Sequence, residues 1–344
     1  MKKQYLIKSS VSLEAEPFPF GCILPMESSI GGNIGDHIQA IAAAQFLPDA
    51  TIYIERDFLN SFHYPRRLPT LINGWFMRTA RAGWLDKRPA PERSWPPPAC
   101  IDPLLISIHL EPNFVPEALS EEGISFFRAY GPVGARDKFT HHALEEQGIP
   151  SYFSGCLTLT LANPYKNEDR DNIVYVVDLP SNVEKIIRRL CKVPVVRLTH
   201  HGKDLGASSA EKIIRRLCKV PVARLTNDGK DISSSSNDQK LMSQAEIVLE
   251  KYRRARCVIT SRLHVAMPCL AFETPVVFVH PDPDSDSRMG GLIELVRHCS
   301  PRDILNGRLP IDPDAPTPNP SDYRELRGQL ISTVTDWVRK KTEV

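Results

Sequence analysis

The chain has 344 residues, a length suited to two α/β domains of roughly 150 residues each rather than to one small core. Hydrophobic residues make up 42% and charged residues 24%, which excludes wholesale disorder and a fibrous chain. Lys plus Arg (43) exceed Asp plus Glu (41) by two, so no global field draws the protein to nucleic acid or to an anionic membrane.

In chain order, Gly31-Gly32-Asn33-Ile34-Gly35-Asp36 precedes a helical pattern over residues 37–46, with Ile38, Ile41 and Ala42 at core spacing. A short strand is expected at 51–55 and a buried strand at 71–76. Residues 81–103 hold six prolines and two tryptophans and read as loop. Residues 104–109 read as strand. Next come a strand over 131–135, Asp137 as helix N-cap, a helix over 138–147, Gly148 as its stop and a strand edge at 152–155. This alternation predicts parallel α/β layers. The polar stretch Ala162–Asp171 reads as a linker. The expected domains are therefore 1–162 and 172–300, joined by 163–171 and followed by a Pro-rich tail and helix over 301–344. Within the second domain a strand is expected at 173–179 and an amphipathic helix at 237–255, with Leu241, Ala245, Val248, Leu249 and Tyr252 on one stripe. A buried strand at 257–261, a short helix at 262–272 and a strand at 275–280 follow. A final helix over 323–340 is placed to dock back across the domain junction.

Residues 184–204 recur at 211–231 with differences only at Val196/Ala223, His200/Asn227 and His201/Asp228. Two copies are too few for a solenoid, which needs about three repeats to bury a continuous core. The repeat therefore reads as a local duplication of a basic helix and a short strand. One copy should take the single slot in a parallel sheet. The other should extend a sheet edge or loop outward.

The first twenty residues hold no apolar run suited to a signal peptide, and no stretch approaches the roughly 18 apolar residues of a membrane span. Eight scattered cysteines without a C-x-x-C pair argue against zinc and for reduced thiols. A cytoplasmic location is the resulting expectation.

Four places could carry chemistry. In the glycine-rich turn at 31–36, backbone N–H groups at a helix start favour a phosphate or carboxylate, and Asp36 is either a cap or a general base. Arg136, at a strand end beside a helix N-terminus, can hold an anion with its fork of donors, or simply pair with Asp137. Ser154-Gly155-Cys156 lies at a strand's C-terminal edge, where α/β ligands bind, although a buried cysteine such as Cys156 is ordinarily inert packing. The strongest is Thr260-Ser261-Arg262-Leu263-His264, directly after an apolar strand: Arg262 would neutralise an anion and His264 could pass a proton near neutrality. The remaining histidines, His109 among them, carry no such context. Asp282, Asp284 and Asp286 lack the Gly and Glu of an EF-hand loop and read as a flexible acidic loop.

Taken in order, G-N-I-G-D-H-I-Q-A-I-A-A-A-Q-F-L-P, I-N-G-W-F, G-A-R-D-K-F-T, S-G-C-L-T-L-T-L and T-S-R-L-H-V-A-M-P-C-L-A-F-E-T-P-V-V-F-V resemble the polysaccharide pyruvyl transferase family over about residues 20–295. The resemblance implies two Rossmann-like α/β domains facing a cleft, as in GT-B glycosyltransferases, with parallel sheets and flanking helices. It implies phosphoenolpyruvate as donor, a saccharide diol as acceptor and a ketal product, with no metal and no further cofactor. It puts Arg136, Arg262, Leu263 and His264 at the donor, with His264 as the acid. Asn33, Gly35 and Asp36 fall on the facing, acceptor-side domain, Asp36 as a base or hydroxyl-orienting group. Ser154 and Gly155 join the substrate-binding set. His200 does so as the Thr-His strand end typical of the family, which copy two replaces with Thr226-Asn227. Two other readings are a GT-B enzyme using a nucleotide sugar and a non-catalytic glycan- or phosphate-binding descendant.

Overall fold

The computed structural model describes residues 19–24, 33–48, 51–77, 94–165, 170–199, 223–225, 231–233 and 236–343. In chain order its strands are β1 (Phe20–Leu24), β2 (Thr51–Glu55), β3 (Leu68–Phe76), β4 (Ile101–Leu110), β5 (Val133–Ala135), β6 (Ser151–Phe153), β7 (Val174–Val177), β8 (Val195–Leu198), β9 (Ala223–Leu225), β10 (Asp231–Ser233), β11 (Cys257–Thr260), β12 (Val276–Val279) and β13 (His298–Cys299). They form two sheets, ordered β10-β9-β2-β1-β3-β4-β5-β6 and β13-β12-β11-β7-β8. The fold is thus α/β, with two parallel sheets and flanking helices, consistent with two Rossmann-like domains. Among the described residues the β9–β10 pair at one edge of the first sheet is antiparallel.

The apolar strands β7, β11 and β12 are buried at every residue, as parallel strands covered by helices on both faces must be. In each sheet the strand order reverses beside the first strand, between β1 and β3 and between β7 and β11. Open α/β sheets bind ligands beyond the carboxyl ends of strands at such reversals.

One hydrophobic cluster joins Phe20 and Cys22 of the first sheet to Tyr175, Val177 and Val258 of the second. The Gly35–Ala44 and Ser236–Arg254 helices contribute to it, and the expected stripe of Leu241, Ala245, Val248, Leu249 and Tyr252 is buried. The C-terminal helix Tyr323–Thr342 touches both halves. Trp337 meets Phe20 edge-on at 5.6 Å, and Arg327 Nη1 donates to the Ala271 carbonyl at 3.0 Å.

The duplication divides between the sheets. Copy one supplies the Ser181–Leu190 helix from Glu184 onward and β8, which fill the slot beside β7. From copy two, β9 pairs with β2 at the edge of the first sheet, through Tyr53 and Arg224. Two basic residues of copy one are answered within it, because Glu184 accepts from Arg188 (2.9 and 2.7 Å) and from Arg197 (2.5 Å). Among the described residues no helix is long and apolar enough to cross a membrane.

Candidate active site

Residues beyond the carboxyl ends of both sheets line one cavity of about 200 Å³. Asn33, Asp36, Trp75 and Arg136 come from the first half. Ser261, Arg262, Leu263, His264, His280, Arg288 and Met289 come from the second.

β11 delivers the cluster read most readily from sequence. The chain leaves the strand at Thr260 and enters the Leu263–Ala271 helix, whose N-cap is Arg262. His264 sits in this first turn with non-helical backbone angles (φ −78°, ψ 16°). Pro268, four residues on, has no N–H to bond the His264 carbonyl, so the turn is free to depart from helix. Arg262 Nε donates to Asp178 Oδ2 at 2.7 Å. Asp178 ends β7 in the left-handed region (φ 53°), which Asp tolerates better than most side chains.

Arg136 follows β5, its backbone N–H donating to the Ile108 carbonyl at 2.8 Å. It is 1% exposed, and its Nε and Nη2 have no hydrogen-bond acceptor among the described residues. Asp137 Oδ2 lies 3.6 Å from Nε, an ionic contact only. His264 Nε2 is likewise shut off from solvent and unbonded among the described residues, although the residue as a whole is only half-buried. Burial first, then the positive charges of Arg136 and Arg288, push the His264 imidazole well below its ordinary value, so it is neutral in the free protein.

A bulge brings in a histidine that the sequence did not mark. Pairing of β3 with β4 shifts between Ile72↔Leu105 and Gly74↔Ile108, so β4 carries one extra residue around Ser107, whose φ is 55°. An extra residue reverses which face later side chains take. Leu105 and Ile108 accordingly share one core cluster, and His109 turns to the face of Trp75, ring centres 6.4 Å apart. His109 is fully buried. Its Nδ1 lies 2.6 Å from Asp137 Oδ2, and its Nε2 lies 3.4 Å from Glu111 Oε2. Trp75 Nε1 donates to the same Glu111 oxygen at 2.6 Å. Burial works against the Asp137 carboxylate, but His109, Arg136 and the Thr140 N–H outweigh it and lower its pKa. Glu111 is also lowered, chiefly by His109.

In the Asp282–Asp286 loop, Asp282 and Asp284 are exposed, as expected, and Asp286 is held by neighbouring side chains. Asp286 accepts from Arg288 Nε (2.8 Å) and Nη2 (2.5 Å) and lies 3.3 Å from His280 Nε2. Burial opposes its charge, yet the Arg288 bonds hold its pKa at about 2.

The other expected site residues divide. Asp36 lines the cavity, but both its oxygens are engaged: Arg56 Nη1 at 3.0 Å and Gln39 Nε2 at 2.8 Å, with Asp36 and Arg56 each 3% exposed. Asn33 also lines it and accepts from the Gly35 N–H at 3.0 Å, so Gly35 shapes the helix start without reaching the cavity wall. Ser154 and Gly155 stand apart from the cavity lining. Ser154 Oγ accepts from Ser107 N (3.1 Å) and donates to the Ala135 carbonyl (3.0 Å), which braces the bulge. Gly155 has φ +69°, and a Cβ there would come within 2.4 Å of Leu326 on the C-terminal helix. Cys156 is buried, and burial raises its thiol pKa, which suits packing rather than nucleophilic attack. His200 lies outside the described residues.

The cavity therefore presents three guanidinium groups, a neutral, half-buried imidazole and an aromatic ring, drawn from both halves. No curated protein matches the chain significantly. The family model for polysaccharide pyruvyl transferase matches residues 33–283, which is 251 of the 344 residues and includes every cavity residue except Arg288 and Met289; the chain belongs to that family.

Proposed function

We propose that the protein transfers a pyruvyl group from phosphoenolpyruvate to two hydroxyls of a saccharide, forming a ketal and releasing phosphate. The observation that carries this reading is Arg136, a guanidinium 1% exposed with Nε and Nη2 unbonded, in the same cavity as His264. Leaving a buried donor unmade costs about 1–3 kcal/mol. A bound anion recovers that cost, and phosphoenolpyruvate offers both a phosphate and a carboxylate. The cavity of about 200 Å³ is smaller than the roughly 300–1,000 Å³ of sites for drug-sized ligands. A compact donor fits that size better than a nucleotide sugar.

In the free protein His264 is neutral. Anion binding offsets the arginine charges, and the imidazole can then take up a proton. It gives this proton to the donor's methylene carbon, and the double-bond electrons form the new C–H bond. One sugar hydroxyl adds to the cationic C2 and returns its proton to the imidazole. The C2–O bond to phosphate breaks, with phosphate keeping the electron pair. The second hydroxyl then closes the ring, and its proton ends on phosphate. Asp36, already committed to Arg56 and Gln39, suits orienting a hydroxyl better than removing its proton.

The direct test is incubation with phosphoenolpyruvate and a panel of glycans. Phosphate release matched by a new ketal methyl signal in NMR spectra is expected. Unchanged phosphoenolpyruvate across a broad panel would contradict the assignment.

A further inference from the structure

We propose that Arg288 is a third residue contacting the anionic donor, with its guanidinium pinned by Asp286 and Trp75 so that it meets the donor together with Arg136. The inference rests on the phosphoenolpyruvate reading above. Arg288 lies beyond residues 33–283, so the family match says nothing about it. What marks it is geometry.

Its Nε and Nη2 form a fork pair with both Asp286 oxygens, an arrangement that fixes the plane of the guanidinium. The guanidinium carbon lies 5.4 Å from the centre of the Trp75 ring, within cation–π range. Trp75 is held in turn by its bond to Glu111. These contacts use the Nε and Nη2 edge of the group, and Nη1 has no hydrogen bond among the described residues. The loop carrying Arg288 is tied to the first half, because the Lys138 N–H donates to the Gly290 carbonyl at 2.9 Å. Lys138 follows Arg136 and Asp137 directly, so both arginines are fixed to one frame. Both also act on one imidazole, each lowering the pKa of His264.

A plain structural ion pair would need only Asp286. Lining the donor cavity, lying over a cavity tryptophan and bearing on His264 go beyond that role. A dianionic phosphate and a carboxylate would then be matched by Arg136, Arg262 and Arg288 rather than by two arginines.

The test uses the full chain with Arg288→Gln and Arg288→Lys. Calorimetric titration with phosphoenolpyruvate measures binding, and NMR titration of the His264 ring in the free protein measures its pKa. The account predicts affinity about 10- to 100-fold weaker for Arg288→Gln, with partial recovery for Arg288→Lys. It also predicts a higher His264 pKa in Arg288→Gln, since one of the charges depressing it is gone. Wild-type binding with Arg288→Gln within about 2-fold of it, or an unmoved His264 pKa, would overturn this inference alone. Absence of wild-type binding would overturn the donor assignment and this inference with it. If Arg288→Gln does not fold, Asp286→Asn keeps the cation but removes its pin. Weaker phosphoenolpyruvate binding is then expected, and unchanged binding would overturn the proposal.

Discussion

A buried guanidinium without an acceptor among the described residues and an imidazole held neutral in the same cavity are each unfavourable alone, and together they suit the bound anion proposed above. Its electrostatics give a direct expectation for pH. The folded value of His264 lies well below its ordinary value of 6.5, lowered by burial, Arg136 and Arg288. As pH falls below about 6.5 the unfolded chain binds a proton at this position and the folded chain does not, so stability is lost in that window. Denaturation midpoints measured at about pH 7.5 and pH 5.5 should fall more in the wild type than in His264→Gln. Equal falls would show that this imidazole is not held neutral. At the same scale, Arg262, Leu263 and His264 were legible in the sequence because an apolar strand announces where its carboxyl end lies. Arg288 was not, because its meaning comes from Trp75, more than 200 positions away in the chain, and from an aspartate that composition alone assigns to solvent.

Among the elements, two departures from regularity position the site. Pro268 loosens the first helical turn around His264. The bulge in β4 turns His109 towards Trp75 and Asp137. Strict alternation along β4 puts His109 on the same face as Leu105, which is why its contacts with Trp75 and Asp137 could not be read beforehand. The two repeat copies were ambiguous for a different reason: with only three differences in 21 positions, nothing local says which copy fills the sheet. Copy one fills it, with Glu184 and Ile187 buried, while copy two adds the three-residue strand β9 beside β2 in the other sheet. Deleting residues 205–231 joins Asp204 to Ile232 and removes copy two together with β9. Because the slot beside β7 stays occupied, thermal unfolding should show a loss of no more than about 2 kcal/mol, consistent with the tolerance of edge insertions. A collapse of folding would mean that copy two is required by the first sheet and is not a tolerated addition to it.

For the whole molecule, the two-sheet α/β plan followed from strand–helix alternation and from the order of the motifs. Their convergence depended on packing that sequence does not display. A shared core and the C-terminal helix join the halves, so that Arg136 from one and Arg262, His264 and Arg288 from the other line a single cavity. If this cavity is the phosphoenolpyruvate site, as proposed, a crystal structure of the complex will show an anionic oxygen within hydrogen-bond distance of Arg136 Nη2 and the donor's methylene facing His264 Nε2. Phosphoenolpyruvate bound elsewhere, with Arg136 Nη2 still unbonded, would refute the assignment.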